Sequence, residues 1–252
     1  MLNLVQAEHM KYKRSFAQKL VFIGPLFFVV FALVALLYLP EGQSIPGQLL
    51  LTMVFNWWPF IFVPLGTALL CALSEQRERK AGNYRALLTR EVHPLQLWLG
   101  KIAVLAYYLL LSSLGLIITV LLAGLLITDG QLPVWKISYA SLLIWLASLG
   151  FIPLQLFIAA WKGMAASIGA GLTGLFAGVL AAPGPYWMLV PWSWPLRLMC
   201  PVIGVHPNGV SLQSGDPLLS HTVIPTGILL SLLFCGATAW LGGIWFSRRE
   251  VK

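Results

Sequence analysis

The residues able to carry chemistry are few, and their spacing builds no reaction centre. His9, His93, His206 and His221 stand far apart in the chain. Each has a side chain that titrates near neutral pH, but unpaired and scattered they read as interfacial residues, not as ligands or proton carriers. Cys71, Cys200 and Cys235 lack C-x-x-C spacing, and their odd number argues against a disulfide framework or a metal site. Gly100-Lys101 is followed by Ile102, so no G-x-x-x-x-G-K-[ST] loop exists to cradle ATP. Neither H-E-x-x-H nor G-x-S-x-G occurs, and no close pair of carboxylates lies in apolar sequence. The chain is expected to be no enzyme, with no catalytic residue, metal or cofactor of its own.

What it does have is charge gathered in one place. Residues 74–101, SEQRERKAGNYRALLTREVHPLQLWLGK, hold six of the sixteen basic and three of the eight acidic residues, between two apolar runs. Glu75, Arg77, Glu78, Arg79 and Tyr84 lead into Leu87 and Leu88. Flanked by Arg85, Arg90 and Glu91, these leucines predict a short amphipathic helix that ends before Pro94. Two readings fit: a handle on the inner face for another protein, or a solvated loop obeying the positive-inside rule.

The elements that position this segment are membrane spans. At 59% hydrophobic and 10% charged residues, the chain departs from soluble domains, which carry roughly 25% charge. Several apolar blocks reach the ~20 residues a bilayer demands. The expected fold is an all-α integral membrane protein with six transmembrane helices, near 19–39, 49–73, 99–127, 135–160, 164–182 and 222–246. The first block is longer than the ~7–15 apolar residues of a cleavable signal, and no A-x-A site follows it. Pro25 falls in the first turns of span one, while Pro59 and Pro64 predict a kink or break in span two. Asn56, beside Trp57, should face other helices, through a structural hydrogen bond or a substrate contact. Gly169, Gly171, Gly174 and Gly178 predict a closely packed fifth span.

Two flanking regions complete the plan, and the whole of 1–252 reads as one transmembrane domain. In 1–16, Leu2, Val5, His9 and Tyr12 fall about a turn apart, with Lys11, Lys13 and Arg14 nearest the membrane. This fits an amphipathic interfacial helix or a frayed basic terminus. In 183–221, seven prolines accompany Tyr186, Trp187, Trp192 and Trp194, predicting re-entrant extracellular half-helices between spans five and six. Those rings serve as an aromatic belt, or offer cation–π and apolar contacts to a substrate. With both termini cytoplasmic, fourteen of the sixteen basic residues lie inside, and only Lys136 and Arg197 lie outside. The net charge of +8 therefore reads as topology and contact with anionic headgroups, not nucleic-acid binding. The span interiors hold essentially no Asp or Glu, so ion coupling is not expected and any transport is driven from outside the chain.

Six spans, the N-terminal amphipathic segment, the charged stretch between spans two and three and the re-entrant region together resemble the type-2 ABC exporter permeases. The local match is Glu75–Arg77, Gly82, Leu87-Leu88-Thr89, Pro94 and Lys101. Asn83-Tyr84 stands where a small residue normally follows the glycine, and the proline falls late. The whole chain is similar to the permease subunits of lantibiotic-immunity ABC transporters (the MutE/EpiE/NisE-like group), in its length and in Glu8, Lys11, Lys13 and Arg14.

The resemblance implies that a separate ABC ATP-binding subunit, holding ATP and Mg, docks on 74–98 as a coupling segment. It implies a second permease chain, identical or homologous, in a bacterial plasma membrane. Its activity would be to expel a lantibiotic-type peptide for self-immunity. The alternatives are export of a bacitracin-like drug, ion or lipid, or a non-transporting sensor subunit.

Overall fold

In lipid every backbone amide must be satisfied internally, so long apolar runs become helices. The computed structural model describes residues 2–40, 42–82, 84 and 93–248. These form α1 (Leu2–Met10), α2 (Phe16–Tyr38), α3 (Gly47–Trp57), α4 (Val63–Lys80), α5 (Pro94–Ile127), α6 (Val134–Ser148), α7 (Phe151–Lys162), α8 (Met164–Ala181), α9 (Ser193–Ile203) and α10 (Val223–Ser247). An isolated bridge joins Val205 to Ser211. Among the described residues, α2, the α3–α4 rod, α5, α8 and α10 are each long and apolar enough to cross a membrane. The bent pair α6–α7 makes six when counted as one span.

Prolines account for the departures from six straight rods. Span two neither breaks nor ends at Pro59 and Pro64. A π-turn over Trp58–Phe62, closed by the Val63 amide on the Trp58 carbonyl, links α3 to α4. Proline lacks the amide of the regular ladder, and one wider turn absorbs the mismatch. Pro25 lies more than two turns inside α2, because the helix begins at Phe16, where Ser15 caps it by accepting from the Gln18 amide. Span four does break. Its halves meet at 43°, where Gly150 and Pro153 weaken the ladder.

Helix α5 is the central post, with α1, α2, α6 and α10 packed along it, while α4 lies against α7 and α8. Two cores result. One surrounds Phe28, Phe55, Leu116, Ile144, Phe151 and Leu198. The other surrounds Tyr12, Trp98, Leu105, Tyr108, Leu156 and Phe246. The region 183–221 contains one short helix, α9, flanked by 3₁₀ turns. Every residue of α9 is buried, so protein encloses it and lipid does not. Irregular backbone at membrane depth is tolerated under that condition.

The glycines of α8 receive a ring from this region. A Cβ on Gly174 would stand 2.2 Å from the Trp192 indole, and one on Gly178 would stand 2.7 Å from the Trp192 carbonyl oxygen. Trp192 also stacks on Phe151 at 5.8 Å. Gly174→Val should therefore expel the indole and cost about 1–3 kcal/mol. We expect a melting midpoint in detergent lower by roughly 5 °C. Gly169→Ala, whose Cβ meets open space, should leave the midpoint unchanged; equal melting of both variants would disprove this wedge.

Candidate functional site: a buried ionic cluster and an outer aromatic cavity

Lys101 lies in the second turn of α5 and is only 1% exposed. An ammonium so buried costs several kcal/mol unless carboxylates and hydrogen bonds compensate it. Its partners come from two other elements: Glu78 Oε1 of α4 at 3.1 Å and Glu8 Oε2 of α1 at 3.5 Å. Lys11 Nζ closes the set, 2.5 Å from Glu8 and 2.7 Å from Glu78. Two lysines and two glutamates thus cancel across three helices that are distant in sequence.

Aromatic rings wall the cluster. The Tyr84 hydroxyl donates to Glu75 Oε1 at 2.5 Å, and Lys101 Nζ sits 5.3 Å from the Tyr84 ring centroid. Burial, reinforced by Glu75, pushes the Tyr84 phenol well above its ordinary range. Burial likewise raises Tyr12, which stacks on Tyr108 at 4.7 Å beneath the Arg77 guanidinium at 4.7 Å. Tyr84 and Trp98 both meet Phe246 of α10, at 5.1 and 5.4 Å. The cluster therefore ties together α1, the end of α4, the start of α5 and the end of α10.

Local sequence explains each contribution. Helix α4 continues to Lys80 and stops where Gly82 adopts φ +95°, a left-handed conformation natural to glycine. This extension carries Glu75 and Glu78 on one face, three residues apart. Pro94 opens a helix instead of merely ending one. It stands at the first turn of α5, and His93 caps it by accepting from the Leu95 amide at 3.3 Å. Glu8 is buried on α1, so that helix docks through a carboxylate as well as through Val5 and His9, with Tyr12 just past its end.

The expected handle is consequently divided. Glu75, Glu78 and Tyr84 turn inward and are buried, since Lys101 draws Glu78 to itself and the Tyr84 hydroxyl holds Glu75. They present no carboxylate to solvent. Arg77 is half-buried over Tyr12, and Arg79 is exposed yet donates to the Ala159 and Ala160 carbonyls at 3.1 and 2.9 Å, capping α7. The positions Arg85, Leu87, Leu88, Arg90 and Glu91, with the amphipathic helix expected there, lie outside the described residues. Sequence reasoning singled out neither Glu8 nor Lys101 as a buried partner. The available signal was a lysine among apolar residues, which demands an acid somewhere.

At the other end, Asn56 and Trp57 line a cavity of about 300 Å³ with Phe31, Leu49, Thr52 and Gly209. Asn56 is held by its amide nitrogen, which donates to the His206 and Pro207 carbonyls at 3.3 and 2.9 Å. Tyr186, Trp187, Trp192 and Trp194 do not line this cavity. Only Tyr186 is exposed. Trp187 and Trp194 are buried, and Trp194 donates to the Met188 carbonyl at 3.2 Å. A shared aromatic surface at the membrane boundary is thus not formed, because the prolines fold these rings back onto α8 and α10.

A family model described as ABC-2 family transporter protein matches residues 4–178. No curated protein matches the chain. The match spans more than half of the sequence and includes Glu8, Glu75, Glu78 and Lys101. The chain belongs to that family: it is a multi-pass membrane permease of an ABC exporter, a transport subunit that works with an ATP-binding partner.

Removing one member of a buried ion pair strands the others, at a cost of about 3–5 kcal/mol. Lys101→Met should therefore lower the melting midpoint sharply. Adding Glu78→Gln should recover part of the loss, because the double variant removes one charge of each sign. Strictly additive losses in the double variant would show that the charges do not interact.

Proposed function

We propose that this permease is the membrane half of an exporter that lifts a cationic, amphipathic peptide of the lantibiotic type out of a bacterial plasma membrane, giving the producer self-immunity. The observation that carries the coupling half of this reading is the buried ion-paired cluster of Glu8, Lys11, Glu78 and Lys101. An ATP-binding subunit, holding ATP and Mg, presses on the segment 74–98, with Arg77, Arg79, Arg85, Leu87, Leu88, Arg90 and Glu91 as its contacts. Glu75, Glu78 and Tyr84 relay the push inward. The last turns of α4 share ion pairs with Lys11, just past α1, and with Lys101 of α5, so a displacement there moves the N-terminal segment and the third span together. A second permease chain, identical or homologous, completes the path, and both termini face the cytoplasm.

Substrate contact is assigned to the outer cavity at Asn56 and Trp57, with Tyr186, Trp187, Trp192 and Trp194 supporting its surroundings. One observation favours a second reading. Among the described residues no carboxylate lines that cavity, which suits a less cationic amphiphile such as a bacitracin-like drug or a lipid.

Survival of a sensitive strain expressing this chain with its ATP-binding partner separates the two. Protection against lantibiotics supports the first reading, protection against bacitracin alone the drug form of the second, and protection against neither rejects export of either antibiotic. Tyr84→Phe should reach the membrane at normal levels yet lower protection about tenfold, since a hydrogen bond to a charged group contributes roughly 1.5–3 kcal/mol. Full protection would remove Tyr84 from the relay. A tag at Gly215 should react with an impermeant label on intact cells while one at Lys252 should not; the reverse pattern would invert the topology.

A further inference from the structure

A second cavity, of about 340 Å³, opens between the first span and the π-turn. Its wall is formed by α2 (Val21, Gly24, Phe27), by Trp58 and Phe62, by Gly66 of α4, and by residues of α5 and α6. Among the described residues no charged side chain lines it, although the inner core carries buried charge. Its size lies within the range of small-molecule sites, roughly 300–1,000 Å³.

Three features bear on what fills it. First, the cavity is an indentation in an apolar belt. Phe22, Ile23, Leu26 and Val30 of α2 are each about half exposed, and Ile23 and Phe27 form part of its rim. In a bilayer that belt is covered by acyl chains, and the indentation is continuous with it. Second, glycines keep it open. A Cβ on Gly66 would meet nothing within 4 Å, and one on Gly24 would make only ordinary contact at 3.7 Å with Trp58. Third, Trp58 lies on the wall and, among the described residues, no charge is there to bind a cationic head.

We propose that this cavity is a binding site for one acyl chain of a bilayer phospholipid, inserted between the first span and the π-turn of the second. An apolar void left empty forfeits dispersion contacts on every wall, and a flexible alkyl chain restores them. The inserted chain also lets α2 part from α4 without opening a vacuum, since α2 is held along its length chiefly by α5.

The test uses the full chain reconstituted in vesicles of phosphatidylglycerol, a fraction of it carrying a diazirine near the acyl terminus. After illumination, labelled residues are mapped by mass spectrometry. Residues 20–27 and 58–70 should be labelled at least fivefold more than the lipid-facing Leu229, Leu232 and Trp240 of α10. Gly66→Leu should abolish this excess while leaving the α10 labelling intact. Gly66→Ala, adding one methyl group to open space, should retain it. If Gly66→Leu fails to fold, Leu69→Trp fills the cavity from the same wall and should act alike. Labelling no greater than at α10, or an excess that survives both filling variants, overturns the proposal. So does displacement of the excess by nisin, which would make the occupant an exported peptide instead of a lipid.

Discussion

A lysine in an apolar helix has to be neutralised where it stands, and that constraint organises the inner half of this permease. Lys101 cannot reach water, and an unpaired ammonium there would outweigh much of a domain's net stability, which is only about 5–15 kcal/mol. The solution draws one carboxylate from α4 and one from α1, with Lys11 balancing the second negative charge. Helix α4 must therefore run on past the apolar block to Lys80, and the N-terminal helix must fold back against α5. The ring stack of Tyr12, Tyr108 and His9 then covers the cluster and keeps its dielectric low, which strengthens the pairing.

The outer half is held by a different principle. Around α9 the described residues show volume complementarity: Trp192 seats on Gly174 and Gly178, and Leu198 on Gly227. The polar bonds there are mostly to backbone carbonyls, as with Asn56 on the 206–207 turn, Trp194 on Met188 and Arg197 on Leu218 at 2.7 Å. Shape matching of this kind resists small displacements because a packed interior does not deform gradually. Ion pairs tolerate a shift of a few tenths of an ångström more readily. An inner end built from exchangeable charges and an outer end built from seated rings is an arrangement suited to receiving force at one end.

Much of the architecture was legible in the residues. Apolar block lengths set most helix ends to within about three residues, because a bilayer imposes a length that local sequence must meet, whereas α4 runs on to Lys80 and α5 starts back at Pro94, outside the blocks expected at 49–73 and 99–127. Proline marked the irregularities at Pro59 and in the 183–221 region but not their form, and the break of span four at Gly150 and Pro153 was not anticipated. Whether a proline yields a kink, a π-turn or a break depends on what packs against the freed carbonyls. The site was half legible. Glu75, Glu78 and Tyr84 stood out for their charge and spacing, while their direction did not, since a carboxylate at the end of a span has water and a buried lysine as rival partners.

The sequence alone therefore determined that this chain is a bundle of membrane helices without a nucleotide loop, and that its charge is concentrated between spans two and three. Those are properties of composition and of distance along the chain. Only the tertiary structure decided that Glu8, Glu78 and Lys101 meet, that Trp192 sits on α8, and that α9 lies wholly inside the protein. Each depends on which helix faces which, a choice made by packing and desolvation among segments as much as 155 residues apart, the separation of Gln48 from Ile203 at the end of α9, and no local pattern records it.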